Sequence, residues 1–218
     1  MGLLARRSAL LLESHGQSNA RQLDHWINRF MESGAGSDSE RYPELLKAVI
    51  RGGFHVLYDK DEYEVARLYS APEFKQELER EFEGAYRLKV HLAPPLLSRI
   101  DPATGRSKKR EFGAWVFKLL KLLSRLRVIR GRWFDPFRGS AERKLAREMR
   151  EQFARTVDVL CEGRIDEEHL DIAIELAQWP LLVKGYGPVR IAAAERAVKR
   201  QGVLTTELLS PREDRQAA

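Results

Sequence analysis

The chain has few of the residues on which disulfide-stabilised, cluster-binding or membrane-spanning proteins depend. Its only cysteine is Cys161, so no disulfide can form within the chain and nothing favours an oxidising compartment. One cysteine also excludes a four-cysteine iron–sulfur site made by this chain alone. The apolar run at residues 9–12 ends at Glu13 and is too short for a signal-peptide core. No apolar stretch approaches the length of a membrane span. These absences predict a cytoplasmic protein.

Sequence motifs that indicate catalysis or metal binding are also missing. The histidines at positions 15, 25, 55, 91 and 169 are scattered and form no HExxH or other ligand pair. The pair Gly185 and Gly187 lacks the third glycine and the preceding strand of a dinucleotide-binding loop. No serine lies in a nucleophile elbow. We therefore predict no catalytic residue and no metal ligand, and the sequence leaves cofactor-binding residues unknown.

The residues that are present predict a mainly α fold. The chain has 218 residues, 43% of them hydrophobic and 32% charged, which is typical of a globular protein with its own core. Apolar residues recur at helical spacing through most of it. We expect N-terminal helices and a flexible linker over residues 1–38, a helical domain over 39–205 and a frayed tail over 206–218. A small β-hairpin-like excursion is expected around 86–112.

Several local signals sharpen this prediction. Asp59 or Asp61 is placed to cap a helix, and acidic residues follow in its first turn, where the helix dipole favours them. Asp166 and Ser140 are expected to cap later helices, and Pro188 suits a first helical turn. Residues 112–129 form the most apolar helix. A helix that is apolar on most sides is normally buried, so we expect this one to be buried.

The charge is concentrated in one segment. The formal net charge is +6, but residues 101–150 hold fifteen Lys and Arg against five acids, a local charge of +10. Such a region could bind nucleic acid, an anionic ligand or an acidic protein, or it could be a solvated or inter-subunit face. Its aromatics do not form an RNA-recognition pattern, so nucleic acid is the less favoured partner. The predicted interaction patch comprises Lys108, Lys109, Arg110, Lys118, Lys121 and Arg125.

A set of ordered motifs carries a family resemblance. They are KDEYEVARLY at 60–69, HLAPPLL at 91–97, DPATGR at 101–106, KKREFG at 108–113, FDPF at 134–137 and KGYGPVR at 184–190. Together they resemble the C-terminal domain of the large bacterial indolepyruvate ferredoxin oxidoreductases, which follows the pyruvate/ketoisovalerate-type gamma domain. The resemblance covers about residues 41–203, and the N-terminal helices more loosely.

The resemblance implies a role in a 2-oxoacid:ferredoxin oxidoreductase. That family converts arylpyruvate, CoA and oxidised ferredoxin to arylacetyl-CoA, carbon dioxide and reduced ferredoxin, using thiamine diphosphate and iron–sulfur clusters. The thiamine and cluster motifs lie in other domains, so no catalytic residue is transferred and no cofactor is expected on this chain alone. We predict an accessory, non-catalytic domain that packs on the gamma and catalytic domains, with ferredoxin as a further partner. The alternative is a basic helical nucleic-acid-binding or regulatory protein.

Three positions depart from the family pattern. Gly52 and Gly53 stand where relatives tend to have a bulkier pair, and Pro188 stands where histidine is expected in GYGHVK. The start at a methionine near the domain boundary is compatible with a split-gene subunit, a degenerate remnant or an excised piece.

Overall fold

The computed structural model describes residues 2–84, 87–92, 110–163 and 165–210. Within them the chain forms nine α-helices, two short 3-10 helices and one two-stranded antiparallel sheet, which confirms the prediction of a mainly α fold. The elements are α1 Leu3–His15, α2 Gln17–Ser33, α3 Tyr42–Leu57, α4 Glu62–Ser70, α5 Pro72–Glu81, β1 Val90–Leu92, β2 Arg110–Phe112, α6 Val116–Arg125, α7 Ala141–Glu162, α8 Leu170–Gln178 and α9 Pro188–Leu209. The 3-10 helices are Leu126–Ile129 and Trp179–Leu182.

These elements divide into two compact units. The first unit takes residues up to Tyr58 and from Leu145 onwards, and the second takes residues 59–144. The first unit holds the larger core, in which aromatic and aliphatic side chains of α2, α3, α7, α8 and α9 are buried together. No helix among the described residues is both long enough and apolar enough to span a membrane.

In the first unit, α3 runs without interruption through Gly52 and Gly53. A Cβ on Gly52 would lie 2.1 Å from the carbonyl oxygen of Ala177 and 2.7 Å from the Phe153 ring. A Cβ on Gly53 would lie 2.9 Å from Leu23. The two glycines therefore allow α3 to approach α8 and the Phe153 ring closely, and the helical cost of glycine is outweighed by this packing.

The second unit has a smaller core. Ala66 of α4, Val90 of β1, and Val116 and Leu120 of α6 are buried together. The sheet pairs Val90 with Phe112 and Leu92 with Arg110, so the predicted hairpin-like excursion contains a real antiparallel ladder. The first strand begins only at Val90, because residues 87–89 are not in a strand. Pro94, Pro95 and residues 101–105 lie outside the described residues.

The helix ends follow the predicted chemistry at most positions. Of the two candidate caps, Asp61 is the one used, and Pro188 occupies the first turn of α9. Ser140 accepts a hydrogen bond from the Arg143 N–H, as a cap of α7 should. The prediction for Asp166 was wrong by one turn: Asp166 accepts the His169 N–H, but the α-helix begins only at Leu170. Residues 167–169, which were expected to form the first turn of the helix, form a separate turn before it.

The expected burial of the most apolar helix was also wrong. Of the apolar residues of α6, only Val116 and Leu120 are buried, and the side chains of Leu119 and Leu122 are exposed. A narrow side of α6 packs against α4 and the sheet, and this leaves the remaining apolar side chains uncovered.

Candidate functional site

A group of buried charges lies at the start of α4. We call it the Asp61 cluster and define it as Asp61, Glu62, Arg130 and Arg143. Arg130 places Nη2 2.8 Å from Oδ1 and Nε 2.8 Å from Oδ2 of Asp61, and Arg143 places Nη2 2.6 Å from the same Oδ2. The contacts at Oδ2 are ion pairs that are not aligned as hydrogen bonds. The Asp61, Arg130 and Arg143 side chains are only 2%, 14% and 12% exposed. Asp61 thus stands between two nearly buried guanidinium groups.

Asp61 also organises the backbone. Its Oδ1 accepts the Glu64 N–H at 2.8 Å, which satisfies one of the free donors at the start of α4. One carboxylate therefore caps a helix and neutralises two arginines drawn from a distant part of the sequence. Burying charge is costly unless each ion is paired, and this dual use meets that condition.

Glu62 completes the cluster on its outer side. Its Oε2 lies 3.5 Å from Nη2 of Arg143. Burial raises the pKa of Glu62 above its ordinary value, and the positive charge of Arg143 opposes that rise only in part. Two carboxyl groups thus face two guanidinium groups in the cluster.

A second buried ion pair lies within α4. Arg67 donates from Nε to Oε2 of Glu64 at 2.8 Å and from Nη2 to Oε1 at 2.9 Å. This is the planar two-point geometry that makes arginine–carboxylate pairs specific. The Glu64 side chain is fully buried, so the fork holds a charge that water does not reach.

Tyr63 connects α4 to the loop before α7. Its hydroxyl donates to Oδ1 of Asp135 at 2.9 Å, and its ring meets the Phe137 ring edge-on at 5.5 Å. Both Arg130 and Arg143 lie within 6 Å of the same ring, at 5.6 and 5.8 Å from its centroid, in cation–π range. The Tyr63 ring is therefore shared between the aromatic contact and the two arginines of the cluster.

Asp135 has a strongly polar environment despite its burial. Burial alone would raise its pKa, but the N–H groups of Gly131 and Phe137 and the Tyr63 hydroxyl all donate to it and hold the pKa below its usual range. The same contact and burial raise the pKa of the Tyr63 hydroxyl. An ionised Asp135 thus ties the loop at 131–137 to α4.

These groups are arranged to support the structure. Asp61, Glu64 and Asp135 each accept hydrogen bonds from an arginine, a hydroxyl or a backbone N–H of the same unit. No group of three or more His, Cys, Asp or Glu within the described ranges is placed to hold a metal ion. The chain does not fit an iron–sulfur cluster, because Cys161 is its only thiol and is partly buried on α7. Burial raises the pKa of that thiol, although a hydrogen bond with Ser33 opposes the rise.

The predicted interaction patch is divided by the structure. Lys118, Lys121 and Arg125 are exposed and lie along one side of α6, and we call these three residues the basic row. Arg110 is exposed on β2, a separate element. Lys108 and Lys109 lie outside the described residues.

Sequence reasoning missed two features. Arg130 and Arg143 were counted among the fifteen basic residues of the charged segment, yet both are paired with Asp61 and contribute little to a basic surface. No local signal identifies this pairing, because Arg130 is 69 residues from Asp61. The exposed apolar side of α6 was also missed, because spacing shows which side of a helix is apolar and not whether another element covers it.

The fold and this site define a mainly helical protein whose smaller unit is built around a buried ion-pair cluster. Residues 2–202 match the profile of DUF6537, a family of unknown function, and the chain belongs to that family. Neither the curated proteins nor the solved structures contain a significant match.

Proposed function

We propose that this chain is an accessory, non-catalytic domain or subunit of an indolepyruvate or related 2-oxoacid:ferredoxin oxidoreductase. In that role it would pack on the gamma and thiamine-dependent catalytic domains. The main support is the set of ordered motifs that resemble the C-terminal domain of those enzymes. The thiamine diphosphate and the iron–sulfur clusters would belong to the other domains.

The contacts that residues of two of these motifs make with each other support the non-catalytic part of the proposal. KDEYEVARLY supplies Asp61, Tyr63, Glu64 and Arg67, and FDPF supplies Asp135 and Phe137. The two motifs meet through the Tyr63–Asp135 hydrogen bond and the Tyr63–Phe137 ring contact. Their charged groups are paired inside the unit, which is the expected use of residues that maintain a fold on which another subunit packs.

Reconstitution with defined subunits tests this proposal. The chain is purified alone, and separately co-expressed with a thiamine-dependent subunit and a gamma subunit of the family. We expect the chain alone to give no arylpyruvate-dependent reduction of ferredoxin, and to co-purify with the other two subunits. Activity of the chain alone would overturn the non-catalytic assignment, and failure to associate with either subunit would overturn the accessory assignment.

The basic row is the proposed receptor for ferredoxin or for the phosphates of CoA. Three exposed cations on one side of α6 favour an anionic partner. Charge reversal of Lys118, Lys121 and Arg125 should weaken ferredoxin binding, and added salt should weaken binding to the unaltered chain. Binding that is insensitive to both changes would remove this role.

The alternative function is that of a basic helical nucleic-acid-binding or regulatory protein, and the same row is the observation that favours it. A gel-shift series with single- and double-stranded nucleic acid separates the two functions. Affinity that falls steeply with salt would favour the alternative, because neutralised phosphates release counterions.

A further inference from the structure

The basic row has an apolar neighbour that runs along α6 and includes the residue at each of its ends. Trp115, Leu119, Leu122 and Leu126 follow one another at steps of four, three and four residues, and we call them the apolar stripe. Trp115 immediately precedes α6, and Leu126 begins the 3-10 helix that follows it. Their exposed fractions are 58%, 53%, 55% and 41%. At 1.5 Å per residue the stripe is about 16 Å long. A contiguous exposed row of large apolar side chains marks an interaction site more often than chance.

The spacing of the stripe matches the seam of a helix pair. Steps of three and four residues keep side chains on one narrow side of a helix, where they can insert between side chains of a facing helix. The buried side of α6, with Val116 and Leu120, is already occupied by the core of its own unit. The stripe is therefore a second apolar side of α6, one helix wide, next to the first.

The positive charge beside the apolar stripe indicates which kind of partner helix fits. Residues 113–134 contain six Lys and Arg and no acidic residue, and one of the six, Arg130, is already paired with Asp61. The basic row lies beside the stripe, in the position from which flanking residues of paired helices form interhelical ion pairs. A partner that fits both features has an apolar seam with glutamate or aspartate along its flank.

Three other occupants fit this surface less well. A second copy docking through the same side would place one acid-free basic segment against another, because a two-fold interface brings identical patches together. A small anion such as a CoA phosphate would satisfy the basic row but leave the apolar stripe exposed to water. A lipid surface could contact both the apolar stripe and the basic row. It would not, however, explain why the stripe is only one helix wide or why the basic residues lie on only one side of it.

We propose, independently of the function above, that α6 is a docking site for an acid-flanked amphipathic helix of a partner protein. The apolar stripe supplies the seam contacts, and the basic row pairs with the partner's acidic flank. The inferred partner is identified by this chemistry alone.

Selection from a defined library tests the proposal. The full chain is used to select from displayed amphipathic helices of about three heptads, with leucine fixed along the seam and the flanking positions randomised among Glu, Lys and Gln. We expect enrichment of Glu over Lys at the flanks, and a selected peptide should bind at least about tenfold more tightly than its Lys-flanked version, because like charges in an interface are strongly unfavourable.

Variants separate the apolar from the ionic contribution. The double variant Leu119→Glu, Leu122→Glu should lose the selected peptide, and its circular dichroism should be unchanged because both side chains are already exposed. The matched controls Leu12→Glu and Leu209→Glu, each 55% exposed in the wild type, should bind normally. Reversal of the basic row to glutamate should invert the preference, so that the same library yields Lys flanks.

Three results would overturn the proposal. One is selection without enrichment at the flanks, and another is unchanged binding by the double variant. The third is binding to anionic phosphatidylglycerol vesicles that depends on the stripe while no peptide is selected, which would assign the surface to lipid. Failure of the reconstitution with oxidoreductase subunits leaves these outcomes unaffected, so the two proposals are tested separately.

Discussion

The Tyr63 hydroxyl donates a 2.9 Å hydrogen bond to Oδ1 of Asp135, a residue 72 positions further along the chain. This bond joins the first turn of α4 to the loop that precedes α7. The Tyr63 ring also lies beside the two arginines that neutralise Asp61. The stability of the smaller unit should therefore depend on a few identifiable polar contacts.

Removal of the Tyr63 hydroxyl should weaken the unit without emptying its core. Tyr63→Phe keeps the ring contact with Phe137 but removes one donor to an ionised carboxylate, so we expect a loss of about 1.5–3 kcal/mol in the free energy of unfolding. The pKa of Asp135 should rise, because one of the groups that lowers it is gone. Urea unfolding and NMR titration of the Asp135 carboxyl carbon measure the two effects. An unchanged pKa would show that Tyr63 does not act on Asp135.

Asp135 also predicts a dependence of stability on pH. Its pKa in the folded chain lies below the ordinary value of 3.8, so its contribution is present above that value and is lost as the pH falls through the lowered pKa. The difference in unfolding free energy between the wild type and Asp135→Asn should therefore be greatest at neutral pH and shrink in acid. Urea unfolding of both proteins across the acid range measures this difference. A difference that grows in acid would contradict the assignment.

Loss of the Asp61 carboxylate should be among the most damaging single changes in the smaller unit. Asp61→Ala leaves Arg130 and Arg143 without their shared counter-ion and removes the cap of α4, so we expect a cost of about 3–5 kcal/mol. The control is Glu175→Gln, which breaks the exposed two-point pair with Arg200 and should cost no more than about 1 kcal/mol. Chemical unfolding measures the loss in unfolding free energy for both variants. Equal losses would show that burial does not determine how much an ion pair contributes to stability.

A methyl group at Gly52 should be strongly unfavourable. Gly52→Ala would bring a Cβ to 2.1 Å from the Ala177 carbonyl oxygen, so α3 must move away from α8. Such overpacking costs about 1–3 kcal/mol or more. The control is Gly202→Ala in α9, where a Cβ meets nothing within 4 Å. That change should stabilise the protein by about 0.5–1 kcal/mol, because alanine is the better helix former. The midpoint temperature of thermal unfolding should fall for Gly52→Ala and rise for Gly202→Ala.

The Cys161 thiol should react slowly with thiol reagents. Burial raises its pKa, so less thiolate is present near neutral pH, and access to it is partial. We expect its reaction with a disulfide reagent to be slower in the native chain than in the urea-unfolded chain. Equal rates would indicate an open, unperturbed thiol.

Local signals in the sequence were sufficient for several features. The cap of α4 at Asp59 or Asp61, the Ser140 cap and the Pro188 start of α9 follow from chemistry within one helical turn and were predicted, and the structure selects Asp61. The interpretation failed where the answer depended on a distant segment. Arg130 and Arg143 were read as part of a basic surface, because a charge count cannot show that Asp61 neutralises them.

The amino-acid sequence by itself determined the mainly α fold and the positions of most helix starts. These properties follow from spacing and capping, which act over a few residues. Only the tertiary structure decided that Gly52 lies against Ala177, that Tyr63 binds Asp135, and that the apolar stripe of α6 is exposed. The physical reason is that periodicity states which side of a helix is apolar, whereas only the packing of the other elements states whether anything covers it.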